Sequence, residues 1–204
     1  MRKKRKIRKK GKSPIFIFLI EILVVIILGI IVYHVNKPID YVEKAETLEI
    51  PEWIDVQYID VGNPSRTGLL LDGVHDIVIH YVGNPGTTAQ QNRDFYNQEE
   101  SNVCSHFVIG MEGEIIQCVP LNERSAASNH RNHDTISIEV CHPDDTGKFT
   151  DASYESLLQL TRWLMKEFNL KKDHVIRHYD VTGKECPRYF VTHEDAWEQF
   201  REDL

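Results

Sequence analysis

Apolar and polar positions along the chain follow three successive patterns. The first is the block IFIFLIEILVVIILGIIVY, residues 15–33, which is apolar throughout except for Glu21. A helix rises about 1.5 Å per residue, so this run is long enough to cross a hydrocarbon core of about 30 Å. It predicts a transmembrane helix over residues 15–35. Glu21 falls in the first third of the span, where protonation or reach toward the headgroups lowers the cost of a carboxylate, and it reads as a tolerated charge.

The second pattern has no period. Residues 36–50, NKPIDYVEKAETLEI, are charged and lack a sustained apolar repeat, as expected of a stalk. PEWIDVQYIDVGNPSRTGLLLDG then carries turn signals at Gly62-Asn63-Pro64 and predicts irregular or edge structure wrapping a domain. Residues 36–68 are thus a linker and wrap, and the domain proper runs over 69–204.

The third pattern alternates strand and helix signals. HDIVIHYV, from residue 75, is a short β-branched run of the kind buried in a sheet. Thr87 or Thr88 can cap a helix running to about Glu100. CSHFVIG and EIIQCVP flank a turn at Met111-Glu112-Gly113 as a hairpin, and DTISIEV is a further strand. A long helix starts near Thr150-Asp151, with Tyr154, Leu157, Leu158, Thr161, Leu164, Met165 and Phe168 on one face. HVIRH reads as a last strand and THEDAWEQF as a final helix opened by Thr192, with Trp197 and Phe200 inward. Strands interleaved with helices predict an α/β domain, a mixed central sheet flanked by helices and preceded by one transmembrane helix.

Charge fixes the orientation. Nine of the 24 Lys and Arg lie within residues 1–12, and the other 15 face 31 Asp and Glu, so residues 13–204 carry a formal charge of −16. A body this acidic excludes nucleic-acid binding by phosphate neutralisation. Cations ahead of a span stay on the cytoplasmic side, so residues 1–14 are expected to be a cytoplasmic tail beside anionic lipid headgroups, with the domain extracytoplasmic. The block is too long for a signal-peptide core and LGIIVYHVNKP offers no small-x-small cleavage site, so the anchor is expected to stay. Export permits disulfides among the four cysteines, and Cys104 and Cys118 could meet across the hairpin.

The chemistry concentrates in RHYDVTGKECP, residues 177–187, which holds His178, Lys184 and Cys186. Imidazole and thiolate are zinc ligands, and a catalytic zinc keeps three protein ligands and one open position. His80 closes a buried strand and can reach a cleft at the sheet's end. With His178 and Cys186 it makes a two-nitrogen, one-sulfur set. Glu139 shares a strand face with Ser137 and Cys141, and a carboxylate there needs either a salt bridge, for which Arg177 is a candidate, or a role as general base. Lys184 can direct its ammonium at a developing oxyanion. A cysteine peptidase with Cys186 as nucleophile and His178 as base is a competing reading, supported by that pair alone.

Four ordered segments carry a resemblance: IVIHYVGNPGTTAQQN, SHFVIGMEGEIIQCVP, ASNHRNHDTISIEVCHPDDTGKFT and RHYDVTGKECP. The chain from about residue 69 to residue 200 resembles the zinc-dependent N-acetylmuramoyl-L-alanine amidases of type 2, which share a fold with peptidoglycan recognition proteins and phage lysozyme-type amidases. The resemblance implies a peptidoglycan groove, Zn2+ held by His80, His178 and Cys186, and catalytic roles for Glu139 and Lys184. His106 and Asn132 match motif positions and are expected to bind substrate, His106 either lining the groove or supporting it from behind and not as a metal ligand. Some relatives have tyrosine before the His-Phe pair where this chain has Ser105, which shifts proton transfer onto Glu139. Non-catalytic binding modules of the same fold are the alternative. His130, His133 and His142 are near enough in sequence to line the groove but are expected in surface loops, and His75, His174 and His193 match no motif.

Overall fold

A computed structural model describes residues 18–19, 22–30 and 41–204 of the chain, which divides into two units, residues 1–39 and 40–204. In the first unit, residues 18–19 and 22–30 are helical and their apolar side chains are exposed. Most of the ends and flanks of the expected span 15–35, and the whole basic tail, lie outside the described residues. Among the described residues no helix is long and apolar enough to cross a membrane.

In the second unit, short β-branched runs supply the strands because their side chains pack well on a pleated surface. The strands are β1 (Asp55–Val56), β2 (Asp76–Tyr81), β3 (Phe107–Ile109), β4 (Ile115–Gln117), β5 (Thr135–Val140) and β6 (Val175–Arg177). They form one mixed sheet in the order β1-β4-β3-β5-β2-β6. Only the β3–β4 hairpin is antiparallel; the other four pairings are parallel. β2 and β5 lie inside the sheet; β2 carries the apolar run Ile77–Ile79, whereas β5 alternates, with Ile136, Ile138 and Val140 on the main core face and Thr135, Ser137 and Glu139 on the other.

The helices are α1 (Tyr41–Thr47), α2 (Ala89–Tyr96), α3 (Asp151–Phe168), α4 (His178–Thr182), α5 (Arg188–Thr192) and α6 (Glu194–Asp203). One sheet face, built from Ile77, Ile79, Ile136 and Ile138, joins a core with Leu157, Leu160, Leu164 and Phe168 of α3 and Trp197 and Phe200 of α6. Each such side chain, fully buried, contributes about 1.5–3 kcal/mol. The opposite face packs Val108, Ile116 and Cys141 against Ala89 and Tyr96 of α2. Thr88 opens α2 with a capping box completed by Gln91, and Thr150 caps α3.

Four expectations are corrected. Part of the expected stalk is the helix α1, and Tyr41, Ala45, Leu48 and Ile50 pack on the main core, an irregular set of contacts that no single period reveals. α2 stops at Tyr96 rather than near Glu100, since the Asn97 side chain accepts the Asp60 N–H (2.6 Å) and ties that turn to the preceding wrap. Thr192 does not cap α6; it ends α5 and its hydroxyl donates back to the Arg188 carbonyl (3.0 Å). All four cysteines are free. Cys118 N–H pairs with the His106 carbonyl (2.8 Å), which leaves Cys104 beyond the hairpin register, and the Cys104 thiol donates to the Ser65 carbonyl (2.8 Å).

Candidate active site

Parallel strands β2 and β5 run side by side in a register that pairs His80 with Glu139. Their side chains therefore leave the same sheet face near the strands' carboxyl ends, where α/β sheets open clefts. β6 ends at Arg177 and α4 begins at once with His178, so the second imidazole starts a helix beside β2.

The local chain brings Cys186 to the same point. α4 closes at Gly183, whose φ of 77° lies in the left-handed region that glycine adopts freely. The chain then turns back, and Tyr179 N–H donates to the Cys186 carbonyl (2.9 Å). Eight residues thus return the thiol to the start of the helix carrying His178. Arg177 clamps the base of this turn, binding Asp180 (3.0 Å) and Glu194 (2.6 Å). It is not the partner of Glu139.

The three donor atoms lie within 4.8 Å of one another. His80 Nδ1 is 3.2 Å from His178 Nδ1 and 3.8 Å from Cys186 Sγ. A tetrahedral zinc site with ordinary bond lengths separates its ligand atoms by about 3.3 to 3.8 Å, close to both separations measured from His80. Electrostatics agree. Burial, then the neighbouring His178 and Lys184, holds the His80 pKa well below its usual range; burial and Lys184 lower that of His178. Both rings are neutral donors. Burial, with Glu139 adding to it, pushes the Cys186 thiol up to about 12, so a cation is needed to make it a thiolate near neutral pH.

Glu139 stands beside this cluster, its Oε1 4.0 Å from His80 Nδ1 and its Oε2 buried without a hydrogen-bond partner. Burial raises its pKa to about 8, against a lowering by Lys184. Lys184 is exposed and lines the same cavity of about 740 Å³, together with His80, Glu139, His178 and Cys186. The arrangement can bind a cation, relay a proton and neutralise an oxyanion within one cleft.

The two expected groove residues part company. Asn132 lines the cavity. His106 does not: it is fully buried, its Nδ1 accepts the Ser137 N–H (3.0 Å) and its Nε2 donates to the Glu123 carbonyl (2.9 Å), so the groove-lining role is corrected to a structural one. His142 is also buried, against the expectation of a surface loop, and stacks on Tyr81. Ser128 and Asn129 also contact the two imidazoles; both lie within ASNHRNHDTISIEV, where neither residue type nor spacing marks them.

The domain is a mixed α/β fold whose cleft gathers two imidazoles, a thiol and a carboxyl group, a set that could hold a metal ion. A family model described as N-acetylmuramoyl-L-alanine amidase matches residues 72–189, and the chain belongs to that family. It is 29% identical over 165 residues to N-acetylmuramoyl-L-alanine amidase CwlL of Bacillus licheniformis, across 72% of this chain and 45% of CwlL. It is 30% identical over 165 residues to N-acetylmuramoyl-L-alanine amidase BlyA of Bacillus subtilis, across 71% of this chain and 44% of BlyA. The chain thus spans somewhat under half the length of these relatives. The solved catalytic domain of XlyA, whose parent amidase is from Bacillus subtilis, superposes with a TM-score of 0.65 at 28% identity, covering 74% of this chain and 97% of that domain.

Proposed function

We propose that this protein is a zinc-dependent N-acetylmuramoyl-L-alanine amidase that hydrolyses the amide between the lactyl group of N-acetylmuramic acid and the L-alanine of the peptidoglycan stem peptide. The observation that carries the reading is the convergence of His80 Nδ1, His178 Nδ1 and Cys186 Sγ beside the unpartnered oxygen of Glu139, in a domain of the amidase family.

His80, His178 and Cys186 would hold the ion. Zinc, when bound, supplies Lewis acidity. The chain's own groups supply the rest. Glu139 Oε2, free of other partners, takes the proton of the water that attacks the amide carbonyl and returns it to the leaving alanine nitrogen. Lys184 offsets the negative charge that gathers on the carbonyl oxygen. The cavity admits the muramoyl-peptide, and Asn132 and Asn129 on its wall offer hydrogen bonds to the amide-rich stem. Incubation of the zinc-loaded protein with purified muropeptides is expected to release stem peptides with a new alanine amino terminus. No release from a fully loaded, folded protein would overturn the reading.

Residues 15–35 are further proposed to anchor the protein in the cell membrane, with residues 1–14 cytoplasmic and the domain outside. Support comes from the apolar run broken only by Glu21 and from the nine cations that precede it. Protease added to intact protoplasts is expected to digest the domain; its full protection would contradict this orientation.

A further inference from the structure

We propose that Ser128 and Asn129 are positioning residues that fix the ring orientation and tautomer of the two imidazoles, a role that rests on the metal reading of the site. His80 and His178 turn their Nδ1 atoms toward each other, 3.2 Å apart. Each ring's other nitrogen is held from consecutive residues of one loop. His178 Nε2 lies 2.8 Å from Asn129 Oδ1, and His80 Nε2 lies 3.3 Å from Ser128 Oγ.

The two contacts do different work. A carboxamide oxygen only accepts, so His178 Nε2 must carry the hydrogen, and the neutral ring then presents a lone pair at Nδ1. Asn129 thereby selects the tautomer that can bind a cation at the point shared with His80 and Cys186. A hydroxyl both donates and accepts. Ser128 accepts from His80 Nε2–H when Nδ1 serves a cation. When His80 instead donates from Nδ1 to His178, the same hydroxyl donates to Nε2. The buried His80 ring is satisfied in either state, so no polar atom is stranded while the site fills.

The loop has the rigidity the role needs. Asn129 has φ 54°, a left-handed conformation that asparagine tolerates better than most residues and that turns its side chain to His178. Ser128 N–H donates to Asn132 Oδ1 (2.6 Å), closing the turn. Arg131 then binds Asp134 (2.8 Å) and Asp76, the first residue of the strand that carries His80. The loop that orients the rings is therefore bolted to the strand that supplies one of them.

The test is zinc affinity of the full chain, measured by competition with a chelating dye near neutral pH, with the visible spectrum of the cobalt-substituted protein as a second readout. Asn129→Gly keeps the left-handed backbone and removes the oxygen; Asn129→Asp keeps an acceptor; Ser128→Ala removes the hydroxyl. Asn129→Gly and Ser128→Ala are each expected to weaken zinc binding about 10–100-fold, and Asn129→Asp to stay within a few-fold of the native chain. The cobalt spectrum of Asn129→Gly is expected to change with the freed ring. Native affinity in Asn129→Gly, or Asn129→Asp as weak as Asn129→Gly, would overturn the orienting role while leaving the metal site standing. A native chain that takes up no zinc would overturn the metal reading and this role with it.

Discussion

His80 and Glu139 face each other across the parallel β2–β5 ladder, Nδ1 and Oε1 4.0 Å apart, while the second carboxylate oxygen has no partner. That oxygen makes no hydrogen bond to another protein group and stands beside the cavity that Glu139 lines. The neighbouring imidazole is kept neutral by burial, so it forms no ion pair with Glu139; burial also raises the Glu139 pKa to about 8, and a cation held by His80, His178 and Cys186 would lower it toward the range in which the carboxylate takes a proton.

Glu139→Gln keeps the shape of the side chain and removes its basicity. The variant is expected to retain zinc and to lose about 10²–10⁴-fold in kcat on a muramoyl-peptide. Metal content and steady-state rates on the same preparation check both halves. Activity within a few-fold of the native chain would remove Glu139 from the chemistry.

Lys184 is exposed at the rim of the cavity, so its removal should leave the fold alone. Lys184→Met is expected to change stability by no more than about 0.5 kcal/mol. Its kcat is expected to fall about 10²–10³-fold with a smaller change in KM, as for loss of an oxyanion partner. Thermal melts and the separation of kcat from KM test it together.

Much of this architecture was legible in the chain. The sheet's inner strands announced themselves as β-branched runs, and α3 through a regular apolar stripe, because each buries a continuous face. His80, His178 and Cys186 were grouped from ligand chemistry, and the structure brings their donor atoms together. What the chain concealed depends on tertiary partners. α1 has too few apolar residues to show a period, His106 looks like a site residue until its two internal hydrogen bonds are seen, and Ser128 and Asn129 acquire meaning only through rings about 50 residues away.

His106 makes stability depend on pH. Burial lowers its pKa from 6.5 to about 4, so between those values the unfolded chain binds a proton that the folded chain does not. The contribution is complete above pH 6.5 and is lost as pH falls toward 4, about 3 kcal/mol in all. Urea melts across this window are expected to steepen in their pH dependence for the native chain relative to His106→Gln, in which the titrating group is gone. Parallel curves would contradict the assignment.

Leu160 is fully buried in α3 against the sheet face that points away from the cleft. Leu160→Ala is expected to cost about 2–5 kcal/mol by chemical denaturation. The folded fraction should keep native zinc affinity, since the cavity is lined from the other face.

The central claim is that one ion is gripped by two imidazoles and a thiolate. Equilibrium dialysis against zinc, followed by elemental analysis, should find one tightly held ion per native chain. His80→Ala, His178→Ala and Cys186→Ser should each lose it while keeping native circular dichroism. Stoichiometric zinc in all three variants, or none in the folded native chain, would contradict the account.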